Sequence, residues 1–290
     1  MSPSESTVGP IEGMTDSHIH IFGPFARYPM QAARSYTPPC EATTEQLLKA
    51  HAAAGLSRVV VVQPSIYGTD NSCILDAVAE LGEDRSCAVV LVEPTASAEE
   101  LSALARRGAR GVRLNLAGFG ENTALARDML RRSIDQATHA GWHLQLLTRP
   151  ARTSAVLDII ENSAVPVVFD HFGHVRPEEA QDPVFARMLD LVRHGKAYVK
   201  ASAGYALSSR PADQGDLRPM VERLLETNPQ RLIWGSDWPH LDVGPDGACG
   251  LFKTDLAADL ARLRSWIGDD AVWTQVMSSN AQSLYGFRAT

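Results

Sequence analysis

The feature of this chain that most restricts its fold is an alternation, sustained from end to end, between short β-branched runs and longer amphipathic stretches. The runs are MTDSHIH (14–20), RVVVVQP (58–64), CAVVLVEP (87–94), GVRLN (111–115), WHLQLLT (142–148), VPVVFDH (165–171), AYVKAS (197–202) and RLIWGSD (231–237). Between them lie segments such as TTEQLLKAHAAAG, ILDAVAELG, AEELSALARRG, ALARDMLRRSIDQATHAG, PVFARMLDLVRHG and DLRPMVERLLETN. Their apolar residues recur every three or four positions, and several close on Gly or Asn as helix C-caps do. Strand–helix repeats of this kind build a parallel sheet, and eight of them in 290 residues predict one α/β domain, a (β/α)8 TIM barrel over 14–290. A doubly wound open sheet would put a glycine-rich phosphate turn after the first strand. The turn here is DSHIHIFGP, and neither GxGxxG nor GxxxxGK[ST] occurs.

Composition narrows the partners. With 44% hydrophobic and 21% charged residues the chain can bury a large core, and its net charge of −7 argues against nucleic acid or an anionic membrane surface as a general partner. No apolar run approaches the roughly 20 residues of a membrane span. Cys40, Cys73, Cys87 and Cys249 lie far apart without a CxxC pair, which suggests neither a disulfide scaffold nor a zinc ribbon and makes a reducing cytoplasm the expected compartment. Residues 1–13, polar and without a signal-peptide pattern, read as a flexible tail. A homo-oligomer is left open.

In such a barrel the chemistry sits at the C-terminal ends of the strands. That position selects His18 and His20 after the first strand, Gln63 after the second, Arg113 and Asn115 on the fourth, Gln145 and Arg149 on the fifth, His171 on the sixth, Lys200 and Ser202 on the seventh and Asp237 on the eighth. By strand alternation Asp16, His18 and His20 share a face. Several inward polar groups at one end imply a polar pocket, because buried charges must be paired. The connection 21–42, IFGPFARYPMQAARSYTPPCEA, holds four prolines and four aromatics and is expected to cover the mouth.

The conjunction of HxH on strand one, His on strand six and Asp on strand eight resembles the amidohydrolase superfamily. Within it, HIHIFGP, QPSIYGTDN, GVRLN, AGWH, FDHFG, YVKAS and IWGSDWPH look like the lactonase group that includes 2-pyrone-4,6-dicarboxylate lactonase, sugar-acid lactonases and lactone isomerases. The likeness runs in order through nearly the whole chain. It implies an amidohydrolase-like barrel with His18, His20, His171 and Asp237 as catalytic residues, and a role in aromatic or sugar acid catabolism. Binuclear members carry a bridging Lys or Glu on strand four and a His on strand five; here those strands offer VRLN and HLQLLTR, and His143 stands at the wrong end of its strand. A two-metal site is therefore not expected. One open zinc site from His18, His20 and Asp237 would satisfy a catalytic metal, whereas the resemblance to the pyrone lactonase implies a reaction with no cofactor.

The reading that follows is hydrolysis of a small carboxylated lactone. Asp237 would take a proton from water and the histidines would donate hydrogen bonds to the carbonyl. Arg113, Arg149, Arg176 and Arg210, at the ends of strands four to seven, suit a small anionic substrate. Tyr67, Tyr205 and His240 are further candidates for the pocket wall. His174 and Tyr205 stand where the pyrone lactonases place basic residues, and AGYALSSR looks closer to the galactarolactone isomerases. The alternatives are a zinc-dependent non-oxidative decarboxylase, a lactone isomerase, and a non-catalytic barrel that binds a small acid.

Overall fold

The computed structural model describes residues 11–120, 122–244 and 246–288. Eight parallel strands pair in sequence order: β1 (Thr15–Ile19), β2 (Arg58–Val62), β3 (Ser86–Val90), β4 (Ala109–Asn115), β5 (His143–Leu147), β6 (Val167–Phe169), β7 (Ala197–Ala201) and β8 (Leu232–Trp234). The ring closes through a parallel bridge between Ile19 and Trp238. The Asp237 N–H donates to the His18 carbonyl and the His20 N–H to the Trp238 carbonyl, each at 2.8 Å. The (β/α)8 barrel is the fold that the alternation predicts.

The helices are α1 (Thr44–Ala54), α2 (Ser72–Leu81), α3 (Ala98–Arg106), α4 (Thr123–Ala140), α5 (Pro150–Ser154), α6 (Leu157–Glu161), α7 (Pro183–Arg193), α8 (Gly204–Leu207), α9 (Arg218–Thr227), α10 (Leu256–Ile267), α11 (Asp270–Thr274) and α12 (Asn280–Tyr285). Local chemistry fixes their ends. Thr43 and Gln46 form a reciprocal capping box on α1, and Ser97 and Glu100 form another on α3. Gly55 and Gly141 end α1 and α4 in the left-handed conformation that glycine takes without strain. No described helix is long and apolar enough to cross a membrane.

Strand alternation divides the core in two. Val59, Val61, Val112, Leu114, Leu144 and Leu146 pack outward among the helices, while Val60, Val62, Cys87, Val89, Val168, Tyr198 and Ile233 form a separate cluster with Tyr285 and Phe287 from the end of the chain. The Tyr285 ring meets His143, at the start of β5, with centroids 5.1 Å apart, so the C-terminal segment closes the N-terminal end of the barrel. Of the segment read as a tail, residues 1–10 lie outside the described residues, and the Glu12 carbonyl accepts from Ser278 Oγ at 3.0 Å. An antiparallel hairpin, β9 (Leu241–Val243) with β10 (Cys249–Leu251), follows β8. Its strands are too short, and the intervening GPDGA too rich in turn formers, to show a period of two.

The 21–42 connection is pinned at its base by the paired backbones of Phe22 and Ala42. Arg27 and Tyr28 hold Asp76 of α2 at 2.5 and 2.7 Å, and Tyr67 accepts from the Gly23 N–H at 2.9 Å. Further along, Tyr36 lies near Ser65 and within electrostatic reach of Arg113 and Asp237, with burial pushing its phenol up to about 12. The connection thus lies against the mouth.

Gly235 sets the approach of β8 to β1. A Cβ there would lie 2.7 Å from the Cβ of His18 and 2.9 Å from its backbone nitrogen. Gly235→Ala should cost about 2 kcal/mol, in the range of overpacked cores, read as a lower denaturation midpoint in urea. An unchanged midpoint would show that the β1–β8 seam tolerates a wider spacing.

Candidate active site

The register of β1 against β2 slips between Asp16 and Ile19, and Asp16 leaves the face it was expected to share with His18 and His20. It accepts instead from His51 of α1 at 3.1 Å and from the Ser236 N–H at 2.8 Å. Burial alone would raise its pKa, but these bonds hold it below the ordinary value. His18 and His20 turn into the mouth, their Nε2 atoms 3.4 Å apart. The Nδ1 of His20 lies 2.8 Å from the Val62 carbonyl. A carbonyl only accepts, so Nδ1 carries the proton. Burial, reinforced by His18 and Arg113, drives the His20 pKa well below 6.5, which leaves a neutral ring with a bare Nε2 pointing inward.

Asp237 enters from the turn after β8 with a φ of 63°. Its Oδ1 lies 3.6 Å from His18 Nε2, 3.7 Å from His20 Nε2 and 3.9 Å from His171 Nε2, and its Oδ2 accepts from Tyr205 at 2.6 Å. Burial pushes its pKa up to about 7, against the lowering effect of the Tyr205 hydrogen bond. His171 reaches the same point because the chain leaves extended geometry after β6: His171, Phe172, Gly173 and His174 all have φ between 52° and 65°. The other ring nitrogen of His171 lies 2.8 Å from Ser202 Oγ.

Beneath these groups is Asp170, fully buried, which was not among the expected residues. Its Oδ1 lies 3.2 Å from His18 Nδ1 and 3.4 Å from Lys200 Nζ; its Oδ2 lies 3.1 Å from Gln145 Nε2 and 3.8 Å from Arg113. Desolvation opposes its charge, but Lys200 and His18 outweigh it and hold the pKa well below 3.8. Lys200, equally buried, donates to Gln145 Oε1 at 2.7 Å and has its own pKa lowered by desolvation to about 8.

Known proteins resemble this chain along most of its length. The sequence profile of the amidohydrolase family matches residues 15–287. The chain belongs to the amidohydrolase family. A 4-sulfomuconolactone hydrolase of Hydrogenophaga intermedia is 33% identical over 229 residues, 79% of this chain and 75% of that protein. A 2-pyrone-4,6-dicarboxylate hydrolase of Comamonas testosteroni is 31% identical over 242 residues, 79% and 77% of the two chains. The crystal structure of a probable 2-pyrone-4,6-dicarboxylic acid hydrolase from Acinetobacter baumannii with citric acid bound is similar with a TM-score of 0.81 at 26% identity, across 95% of this chain and 100% of that one.

The donor set of this amidohydrolase fits one metal ion. His18 Nε2, His20 Nε2 and Asp237 Oδ1 form a triangle with edges of 3.4, 3.6 and 3.7 Å. Ligands about 2.0–2.1 Å from a tetrahedral zinc stand roughly 3.3–3.4 Å apart. The bare Nε2 of His20 is the form that ligates.

The remaining expected residues divide. Arg113 is buried beside the histidines, with one terminal nitrogen donating to the Gln63 carbonyl at 2.6 Å and its Nε unpartnered. His174 and His240 each have a buried, unpartnered Nε2; the His174 ring meets His171 at 5.3 Å and the His240 ring meets Tyr205 at 5.5 Å. Burial depresses the His174 pKa to about 4, helped by Arg149 and Arg176 at the rim and by Arg113. Other side chains serve the scaffold: Gln63 donates to the carbonyls of Gly68 and Asp70, Asn115 accepts from the Ala117 N–H, and Tyr67 anchors the 21–42 connection. Arg210 is exposed and paired with Asp213 at 2.5 Å.

Tyr205→Phe removes the donor that lowers the pKa of Asp237. A hydrogen bond to a charged group is worth about 1.5 kcal/mol or more, so the midpoint of Asp237, followed by carboxyl carbon NMR, should rise by about one pH unit. A midpoint left in place would remove Tyr205 from the account.

Proposed function

We propose that this amidohydrolase opens small acidic lactones with water, using Asp237 as the base. The observation that carries the reading is the convergence of three imidazole nitrogens on one oxygen of the Asp237 carboxylate, whose other oxygen is held by Tyr205. The relatives' names support it: both hydrolases just described act, by name, on lactones that carry acid groups.

Asp237 as the carboxylate takes a proton from water, and the water oxygen adds to the lactone carbonyl carbon. Negative charge that develops on the carbonyl oxygen is met by the Arg113 guanidinium and by ring N–H groups of His18 or His171. The expectation that all three histidines donate fails for His20, whose proton is spent on the Val62 carbonyl. When the ring C–O bond breaks, Asp237 returns its proton to the departing oxygen; the products are an alcohol or enol and a carboxylic acid, which ionises and releases the second proton of the water to solvent. A pKa near 7 suits both halves of this exchange. The unpartnered Nε2 atoms of His174 and His240, with Arg113, supply donors for the acid group of the substrate.

His18, His20 and Asp237 would hold a divalent ion. Bound there, zinc supplies Lewis acidity toward the carbonyl and a more acidic water.

Proton release from a panel of carboxylated and sulfonated lactones tests the reading, with chelator-treated and zinc-supplemented protein side by side. At least one member should be turned over, with kcat/KM rising as pH increases through about 7, where Asp237 loses its proton. Asp237→Asn should lower kcat about a thousandfold, within the range for a lost general base, and leave the fold intact by circular dichroism. Silence across the panel, or a fully active Asn variant, would overturn the assignment.

A further inference from the structure

We propose that Asp170 and Lys200 are positioning residues that offer His18 Nδ1 an acceptor and a donor, so that its tautomer follows whether the Nε2 cluster holds a divalent cation or closes on itself through a hydrogen bond. The proposal concerns the same site as the hydrolase reading and rests on it for its consequence, but not for its test.

His18 Nδ1 lies 3.2 Å from Asp170 Oδ1 and 3.2 Å from Lys200 Nζ. The carboxylate can only accept and the ammonium can only donate. Nδ1 therefore carries a proton toward Asp170 or presents a lone pair to Lys200, and it cannot do both. The neutral imidazole, the form in which histidine ligates a metal, has one proton to place. Whichever state Nδ1 takes, Nε2 takes the other.

On the far side, His20 Nε2 is bare, because Val62 fixes the proton on Nδ1. Two bare nitrogens 3.4 Å apart would set lone pair against lone pair. In one arrangement His18 Nδ1 accepts from Lys200 and its Nε2–H donates to His20. In the other, His18 Nδ1–H donates to Asp170, and a cation lies where the Nε2 atoms and Asp237 converge. Switching moves one proton off Nε2 and places one on Nδ1, with no net gain or loss.

In the structure Nδ1 is hydrogen-bonded to Lys200, and Asp170 Oδ1, 3.2 Å away, is a buried acceptor with no hydrogen bond of its own, open to the Nδ1 proton when the ring switches. Through the change Asp170 keeps the Lys200 ion pair at 3.4 Å and Gln145 at 3.1 Å, and Lys200 keeps Gln145 Oε1 at 2.7 Å. Gln145 thus serves both ions at once, its amide oxygen to the cation and its nitrogen to the carboxylate. The balance is set by what occupies the Nε2 side.

Long-range proton–nitrogen spectra of the imidazole rings read the switch directly. Chelator-treated protein should show His18 protonated at Nε2 and His20 at Nδ1. One equivalent of zinc should move the His18 proton to Nδ1 and leave His20 unchanged. Zinc affinity, from competition with a chromophoric chelator, should weaken about 10- to 100-fold in Asp170→Asn, the usual cost of losing a carboxylate behind a ligating histidine. A His18 proton on the same nitrogen in both states, an Asn variant with undiminished affinity, or no zinc binding at all would each overturn the proposal. Neither measurement uses a lactone, so a switch seen in a protein silent toward every lactone would keep this inference and discard the hydrolase reading.

Discussion

The site depends on one buried carboxylate. Asp170 has no exposed side-chain surface, and an ion in that position is tolerable only if it is paired. Gln145 hydrogen-bonds its Oδ2, and Lys200, His18 and Arg113 surround it with charge and N–H donors at 3.4, 3.2 and 3.8 Å, from four different strands in all. Breaking such a pair by removing one partner typically costs about 3–5 kcal/mol. The network therefore ties β1, β4, β5 and β7 to the end of β6 in the barrel interior, directly under the three imidazoles. The network that links these strands is also the one that faces Nδ1 of His18.

A second consequence is electrostatic separation of two carboxylates. Asp170 is surrounded by cationic and N–H donors and is held far below the ordinary range; Asp237, with one phenol donor and three neutral rings, is pushed up to about 7. The two also repel, since Asp170 is among the groups that raise Asp237. One acid is thereby fixed as a permanent charge and the other is left able to gain and lose a proton near neutrality, which is the division of labour that acid–base chemistry at one site requires.

Much of this was legible in the sequence. The strand positions follow from β-branched runs, and the conjunction of His18, His20, His171 and Asp237 follows from their places at strand ends. What alternation could not show was where the backbone leaves extended geometry. Asp170 precedes His171 and should face away from it, but β6 ends at Phe169 and the left-handed turn that follows brings both side chains inward. The slip in β1 turns Asp16 away from the mouth by the same kind of local departure. Tyr67 and Arg210 carry plausible side chains at plausible positions, and only tertiary contacts show that one is bound to the 21–42 connection and the other to Asp213. Lys200 and Gln145 were visible as strand-end polar residues, but their roles emerge only once Asp170 is known to lie between them.

The most direct test of the account is the fate of water oxygen. A carboxylated or sulfonated lactone turned over in water enriched in oxygen-18 should yield product with one heavy oxygen, located in the newly formed carboxylate, and none in the alcohol or enol released from the ring. Product without label would mean that water never reaches the carbonyl and the site isomerises its substrate. Label on the released hydroxyl would place the attack at the wrong carbon, and either result would contradict an Asp237-activated water as the nucleophile.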